Sequence, residues 1–151
     1  MPKIRERGKI SNLYSHRIGG LRMPMENQDK MNLIDRFIRA YNNFDVNGMV
    51  TLLHPECSFQ NISGDQINAS AAGISQFREM AEKSKSLFSS RKQTITSYRS
   101  EGETVTIGID YEGVLRADLP NGLKAGERIQ LIGKSVFKFR DGLIYQLTDY
   151  S

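Results

Sequence analysis

Apolar and polar residues alternate with a period of two through the last part of the chain. Ile129, Leu131, Phe137 and Phe139 share one parity, and Gln130, Lys134 and Lys138 share the other. That pattern predicts a long strand with one dry face and one wet face. Arg140-Asp141-Gly142-Leu143 then supplies an Asp-Gly pair, which tolerates the positive φ of a tight hairpin, and alternation resumes at Ile144. Upstream, Val105, Ile107, Ile109, Tyr111, Gly113 and Leu115 mark one face of another long strand. A strand over 92–99 precedes it across the turn Glu101-Gly102-Glu103, and the stretch 118–126 reads as a connection.

The first half of the chain carries helical spacing instead. Met31, Ile34, Phe37, Ile38 and Tyr41 form one stripe of a helix over 29–43. Asp45 stands as an N-cap before Val46, Met49, Val50 and Leu53, a second helix expected to end at His54-Pro55, because a residue before proline is pushed out of the α region. His54 is then expected as an exposed cation on the helix C-terminus. Residues 57–61 predict a short strand, and the small, polar stretch 62–73 a loop long enough to be a lid. Phe77, Met80, Ala81, Ser84 and Phe88 line a third helix over 74–88. The fold class that follows is α+β: a cone-shaped, curved antiparallel sheet with three N-terminal helices packed on its concave face. The wide end of such a cone must be filled, by side chains or by a ligand.

Composition narrows the function classes. At 151 residues one domain is expected, and no apolar run approaches the roughly 18 residues that span a bilayer. Cys57 is alone, which excludes an intrachain disulfide and suits a small buried hydrophobe better than a nucleophile. The net charge of +4 is local: residues 1–22 hold six cations and one anion, leaving 15 cations and 16 anions elsewhere. Residues 1–24 therefore read as a basic, disordered extension, with 25–151 as the domain and Met23, Met25 and Met31 as alternative starts. The arm lacks the apolar core of a secretory signal, so a cytoplasmic address is expected. No metal-ligand spacing, phosphate-cradling glycine motif or aromatic-basic interleaving occurs, so no cofactor, metal or nucleic-acid partner is expected.

The succession IDRFIRAYNNFDVNGMVTLLHPECSFQN, GISQFREM, VLRADLPNG and KSVFKFRDGLIYQLTDY resembles the nuclear transport factor 2-like (cystatin-like) fold, in its SnoaL-like and ketosteroid-isomerase-like branch. The resemblance spans about Asp29 to the end. It implies a catalytic base where this chain has Asn61, and oxyanion donors where it has Phe37 and Ser135. An amide is no base at neutral pH and Phe donates no hydrogen bond, so steroid-isomerase chemistry is not expected. Phe59-Gln60-Asn61 is also similar to the Tyr-x-Asn of limonene-epoxide hydrolases. Tyr111 and Gly113 stand where their Arg and Asp would be, and up to Ser151 their last Asp has no counterpart. SnoaL-type cyclases use a late Asp, for which Asp149 is the candidate. If Ile144, Gln146, Thr148 and Tyr150 face the cone, however, parity sends Asp149 outward with Tyr145 and Leu147.

The cone lining expected from these readings is Phe37, Tyr41, Phe59, Asn61, Ile109, Tyr111, Phe137, Gln146 and Thr148, with Asn61 and Tyr111 orienting a ligand and no catalytic residue assigned. An apolar lining with few polar groups suits a small hydrophobic or aromatic molecule, bound or turned over in isomerase, cyclase or dehydratase chemistry. The alternatives are a protein-interaction module of the same fold, which would have its cone plugged by Phe37, Phe59 and Phe137, or a divergent epoxide hydrolase-like enzyme. Val114, Ile132, Val136, Tyr145 and Leu147 on the convex face would mark a homodimer interface.

Overall fold

The apolar stripes of the first half fold into helices, except that Phe88, expected at the end of the third, opens a strand instead, and the alternating stretches fold into one sheet. The computed structural model describes residues 25–151 and the backbone of 17–18 and 21–22. The latter form β1 (Arg17–Ile18) and β2 (Leu21–Arg22), a two-strand antiparallel ladder. The extension expected over 1–24 otherwise lies outside the described residues.

In α1 (Asn27–Asn42) the stripe Leu33, Ile34, Phe37 and Ile38 is buried. Phe44 then turns the chain at positive φ, and the Asp45 carboxylate accepts from the Gly48 amide at 2.9 Å to cap α2 (Val46–Val50). α2 is shorter than expected. The chain has already left the helix when it reaches Leu53, which pairs with Ile144, so His54-Pro55 opens strand β3 (Leu53–Ser63) instead of closing a helix. The expected loop over 62–73 is also corrected. Gly64 turns the chain at positive φ into β4 (Gln66–Ala72), which pairs back on β3. β4 is an edge strand with mostly exposed side chains, Ile67 at 58% among them, so no dry face left its mark on the sequence.

α3 (Gly73–Lys85) follows, and then four long strands: β5 (Phe88–Glu101), β6 (Thr104–Leu115), β7 (Arg128–Arg140) and β8 (Leu143–Tyr150). The sheet order is β4-β3-β8-β7-β6-β5; every neighbouring pair is antiparallel except β3 and β8. Helices lie on its concave face, where Phe37 packs on Phe77 and Phe137 with ring centres 6.2 and 6.3 Å apart.

Two irregularities decide which side chains enter the cone. In β5 the register slips between Ile95 and Ser97, so Thr96 is an extra residue and the inward set changes from Arg91, Gln93 and Ile95 to Tyr98 and Ser100. In β8 the register slips opposite Lys138 and Phe139, and Tyr145 is the extra residue. Ile144 and Leu147 are therefore both buried although they sit three apart, a spacing that a regular strand cannot place on one face.

The core is tightest at the end of the cone where β7 meets its hairpin. Val105, Ile107, Phe137 and Ile144 are each 0% exposed there. The Lys30 stem is buried beside them, its ammonium donating to the Gly102 carbonyl at 3.1 Å and lying 5.9 Å from the Phe139 ring centre. Burying a Lys is tolerable because its head reaches a carbonyl at the rim.

Candidate functional site

The opposite end of the cone holds a cavity of about 340 Å³. Aromatic rings build its walls. Phe37 and Tyr41 come from α1, Phe77 from α3, Phe59 from β3, Phe88 from β5 and Tyr111 from β6. Phe59 meets Phe77 edge-on at 5.9 Å, and Phe88 meets Tyr111 at 6.1 Å. Gly113 makes the second contact possible, since a Cβ there would lie 3.0 Å from the Phe88 ring and 3.3 Å from the Tyr111 ring.

Polar groups enter from the sheet. Asn61, Asp149 and Ser135 are register partners across β3, β8 and β7, so they form one row on the cavity floor. The Ser135 hydroxyl donates to Asp149 Oδ1 at 2.6 Å. Burial pushes the Asp149 carboxyl up to about 6, while the Ser135 hydrogen bond pulls the other way. Among the described residues no cation pairs with it. A carboxyl so placed exchanges its proton near neutral pH, which is what general acid-base work requires.

A second polar group stands across the cavity. The Tyr41 hydroxyl donates to the Tyr111 hydroxyl at 3.0 Å. Burial raises both phenols, against the nearby Arg91 charge, which lowers them, so both keep their protons. Arg91 itself is 5% exposed. Its Nε donates to the Tyr41 carbonyl at 3.0 Å, and its guanidinium lies 3.7 Å from the Tyr41 ring centre and 4.5 Å from that of Phe44. Beside it the Asn42 amide exchanges two hydrogen bonds with the Gln93 backbone, at 2.7 and 3.0 Å, so the end of α1 is stitched to edge strand β5.

Of the nine residues expected to line the cone, seven do: Phe37, Tyr41, Phe59, Asn61, Ile109, Tyr111 and Phe137. Gln146 and Thr148 do not. They pair with Lys138 and Val136 on the convex side, and Leu147 and Asp149 face the cavity in their place. The outward placement of Asp149 and Leu147 is thereby corrected, and the cause is the extra residue at Tyr145. Gln93 was missed for the same kind of reason, the extra residue at Thr96, and Arg91 because it fell outside the strand expected over 92–99, which in fact begins at Phe88. The signal available for Arg91 was a cation between two stretches with aromatic neighbours, which no spacing rule distinguishes from a solvated surface residue.

His54 is also corrected. It is buried, accepts the Glu56 amide on Nδ1 at 3.0 Å, and turns Nε2 to Asp141 Oδ2 at 3.1 Å, which fastens the start of β3 to the last hairpin turn. It does not reach the cavity. Cys57 is buried, and burial raises its thiol, which leaves it a poor nucleophile. Among the described residues no group of three or more His, Cys, Asp or Glu side chains is placed to hold a metal ion. No described helix is long and apolar enough to cross a membrane.

A three-helix cone over a six-stranded curved sheet, with a cavity at its wide end, is the architecture of nuclear transport factor 2-like and ketosteroid-isomerase-like proteins. Residues 34–147 match the SnoaL-like domain, and the chain belongs to that family. Three solved structures illustrate the likeness. A candidate polyketide cyclase from Xanthomonas campestris pv. campestris is 21% identical with a TM-score of 0.68, covering 82% of this chain and 90% of its own. A protein of ketosteroid isomerase-like fold from Catenulispora acidiphila, in complex with trimethylamine, is 18% identical at 0.66, covering 79% and 84%. A LEH-like epoxide hydrolase from M. tuberculosis is 15% identical at 0.65, covering 82% of each chain. Identities this low speak for the fold alone. Among curated proteins none matches the chain.

Proposed function

We propose that the wide end of the cone binds a small, mainly apolar aromatic molecule and that Asp149 moves a proton on it, in chemistry of the isomerase, cyclase or dehydratase type. The observation that carries this reading is a carboxyl with a pKa of about 6 on the floor of an aromatic-walled cavity. Asn61 beside it would orient the ligand, and the Tyr41–Tyr111 pair would donate to an oxygen of the ligand. The cavity is open, which weighs against a plugged interaction module. Tyr111 and Gly113 stand in place of a second acid and its arginine, which weighs against epoxide hydrolysis.

Proton abstraction can be tested on tetralone, a bicyclic ketone with acidic protons beside its carbonyl. Its deuterium uptake in heavy water, followed by NMR, is expected to be faster with the wild-type protein than in buffer and to fall to the buffer rate with Asp149→Asn. Equal rates for wild type and the folded variant would overturn the role of Asp149.

We further propose that a second copy covers the convex face of the sheet, where Ile132 is 84% exposed and shares its face with the half-buried Val114 and Val136. Leu147 no longer counts toward that face. Sedimentation is expected to give a dimer; a monomer at all concentrations would overturn it.

A further inference from the structure

We infer that the ligand of this cavity carries a carboxylate, and that Arg91 receives it beside the Tyr41–Tyr111 hydroxyl pair. This rests on the reading of the cavity as a ligand site. Three observations lead there.

The first is an unanswered charge. Arg91 lies on the cavity wall at 5% exposure, and its Nη2 is buried with no hydrogen-bond partner among the described residues. The partners it does have are a backbone carbonyl on Nε and two aromatic faces, so no carboxylate compensates it. A buried cation left this way is expensive to the fold unless something supplies an anion. Structural arginines in cores are normally paired, whereas this one keeps an enclosed donor unanswered and no carboxylate beside it.

The second is a spare proton. Between the Tyr41 and Tyr111 hydroxyls one proton fills the hydrogen bond and the other remains to donate. Guanidinium and phenol on one wall match the two oxygens of a carboxylate, which accepts from both.

The third is the balance of charge in the cavity. Of its ionisable groups, Arg91 and the phenols stand on the wall and Asp149 on the floor, while Lys134, on the outward parity of β7, is exposed at the rim. Lys134 lies 5.2 Å from the Tyr150 ring centre. Asp149 is held by Ser135 and forms no ion pair with Arg91, so the potential at the guanidinium favours an anion over a cation. The ligand is thus an aromatic or alicyclic acid: its ring against Phe37, Phe59 and Phe77, its carboxylate on Arg91.

The test is a pair of probes of the same shape, naphthoate and the neutral naphthamide, titrated calorimetrically into the protein at neutral pH. Naphthoate is expected to bind at least about tenfold more tightly, the effect of one charge-assisted hydrogen bond in a shielded site. That preference is expected to vanish in Arg91→Met and to shrink several-fold in Tyr111→Phe. Circular dichroism checks that each variant is folded; if Arg91→Met is not, the wild-type comparison and Tyr111→Phe decide. Equal affinity for both probes would overturn the carboxylate assignment while leaving the cavity as an aromatic site. A preference that persists in a folded Arg91→Met would overturn the role of Arg91. Failure of both probes to bind would overturn this inference and the proposed function together.

Discussion

The two ends of the cone are built from the same strands under opposite rules. At the closed end Val105, Ile107 and Ile144 exclude solvent entirely, and the polar side chains admitted there, Lys30 and His54, have partners. At the open end β7 contributes Ile129, Leu131 and Ser135 to a cavity wall, and polar groups are left with unused capacity: Nη2 of Arg91 and the carboxyl of Asp149. Stability is concentrated where apolar packing excludes solvent. Chemistry is possible where polar groups keep unused capacity.

The sharpest break of this contrast is one substitution made at both ends. Ile107→Ala at the closed end is expected to destabilise by about 2–5 kcal/mol, because the space left cannot fill. Ile129→Ala, on the half-buried cavity wall, is expected to stay under about 1 kcal/mol, since little packing is lost. Similar values from urea unfolding would show that the ends do not differ.

A smaller effect comes from the partnered histidine. His54→Ala removes the hydrogen bond that the Glu56 amide donates and the contact His54 makes with Asp141, and is expected to cost about 1–3 kcal/mol in the same measurement. No change would mean that the hairpin turn is held by other contacts.

Asp149 supplies a signed pH effect. Its carboxyl is raised from 3.8 to about 6, so the folded protein holds that proton more tightly than the unfolded chain. Ionisation therefore disfavours the fold; the penalty is absent below the unfolded value and complete above the folded one. Asp149→Asn removes it, and its stability relative to wild type is expected to improve by about 2 kcal/mol between pH 4 and pH 7.5, discounted for water in the cavity. A gap that stays flat or moves the other way would contradict a raised carboxyl. The smallest stability change, near zero, is expected for Ile132→Glu, which should instead split the proposed dimer in sedimentation.

Much of the fold was legible because β6 and β7 obey a strict alternation and α1 a clean stripe. The site was half legible for the same reason: Tyr41, Phe37, Ile109, Tyr111 and Phe137 lie on those regular elements. What escaped lies beyond a register slip, Gln93 upstream of Thr96 and Leu147 and Asp149 downstream of Tyr145, or, for Arg91, before the expected start of its strand. Bulges are set by how a strand meets its neighbours, a tertiary relation that one strand's own sequence does not encode. β4 escaped differently, since an exposed edge of small residues has no dry face to announce it.

The extra residue at Tyr145 also works as slack. Removing it would make the ladder between β7 and β8 continuous while leaving Leu147 and Asp149 on the faces they now occupy. A change of length that would elsewhere turn a strand inside out is thus absorbed between the Asp-Gly turn and the acid. The chemical end of the hairpin thus keeps its facing whether or not that one residue is present at the structural end.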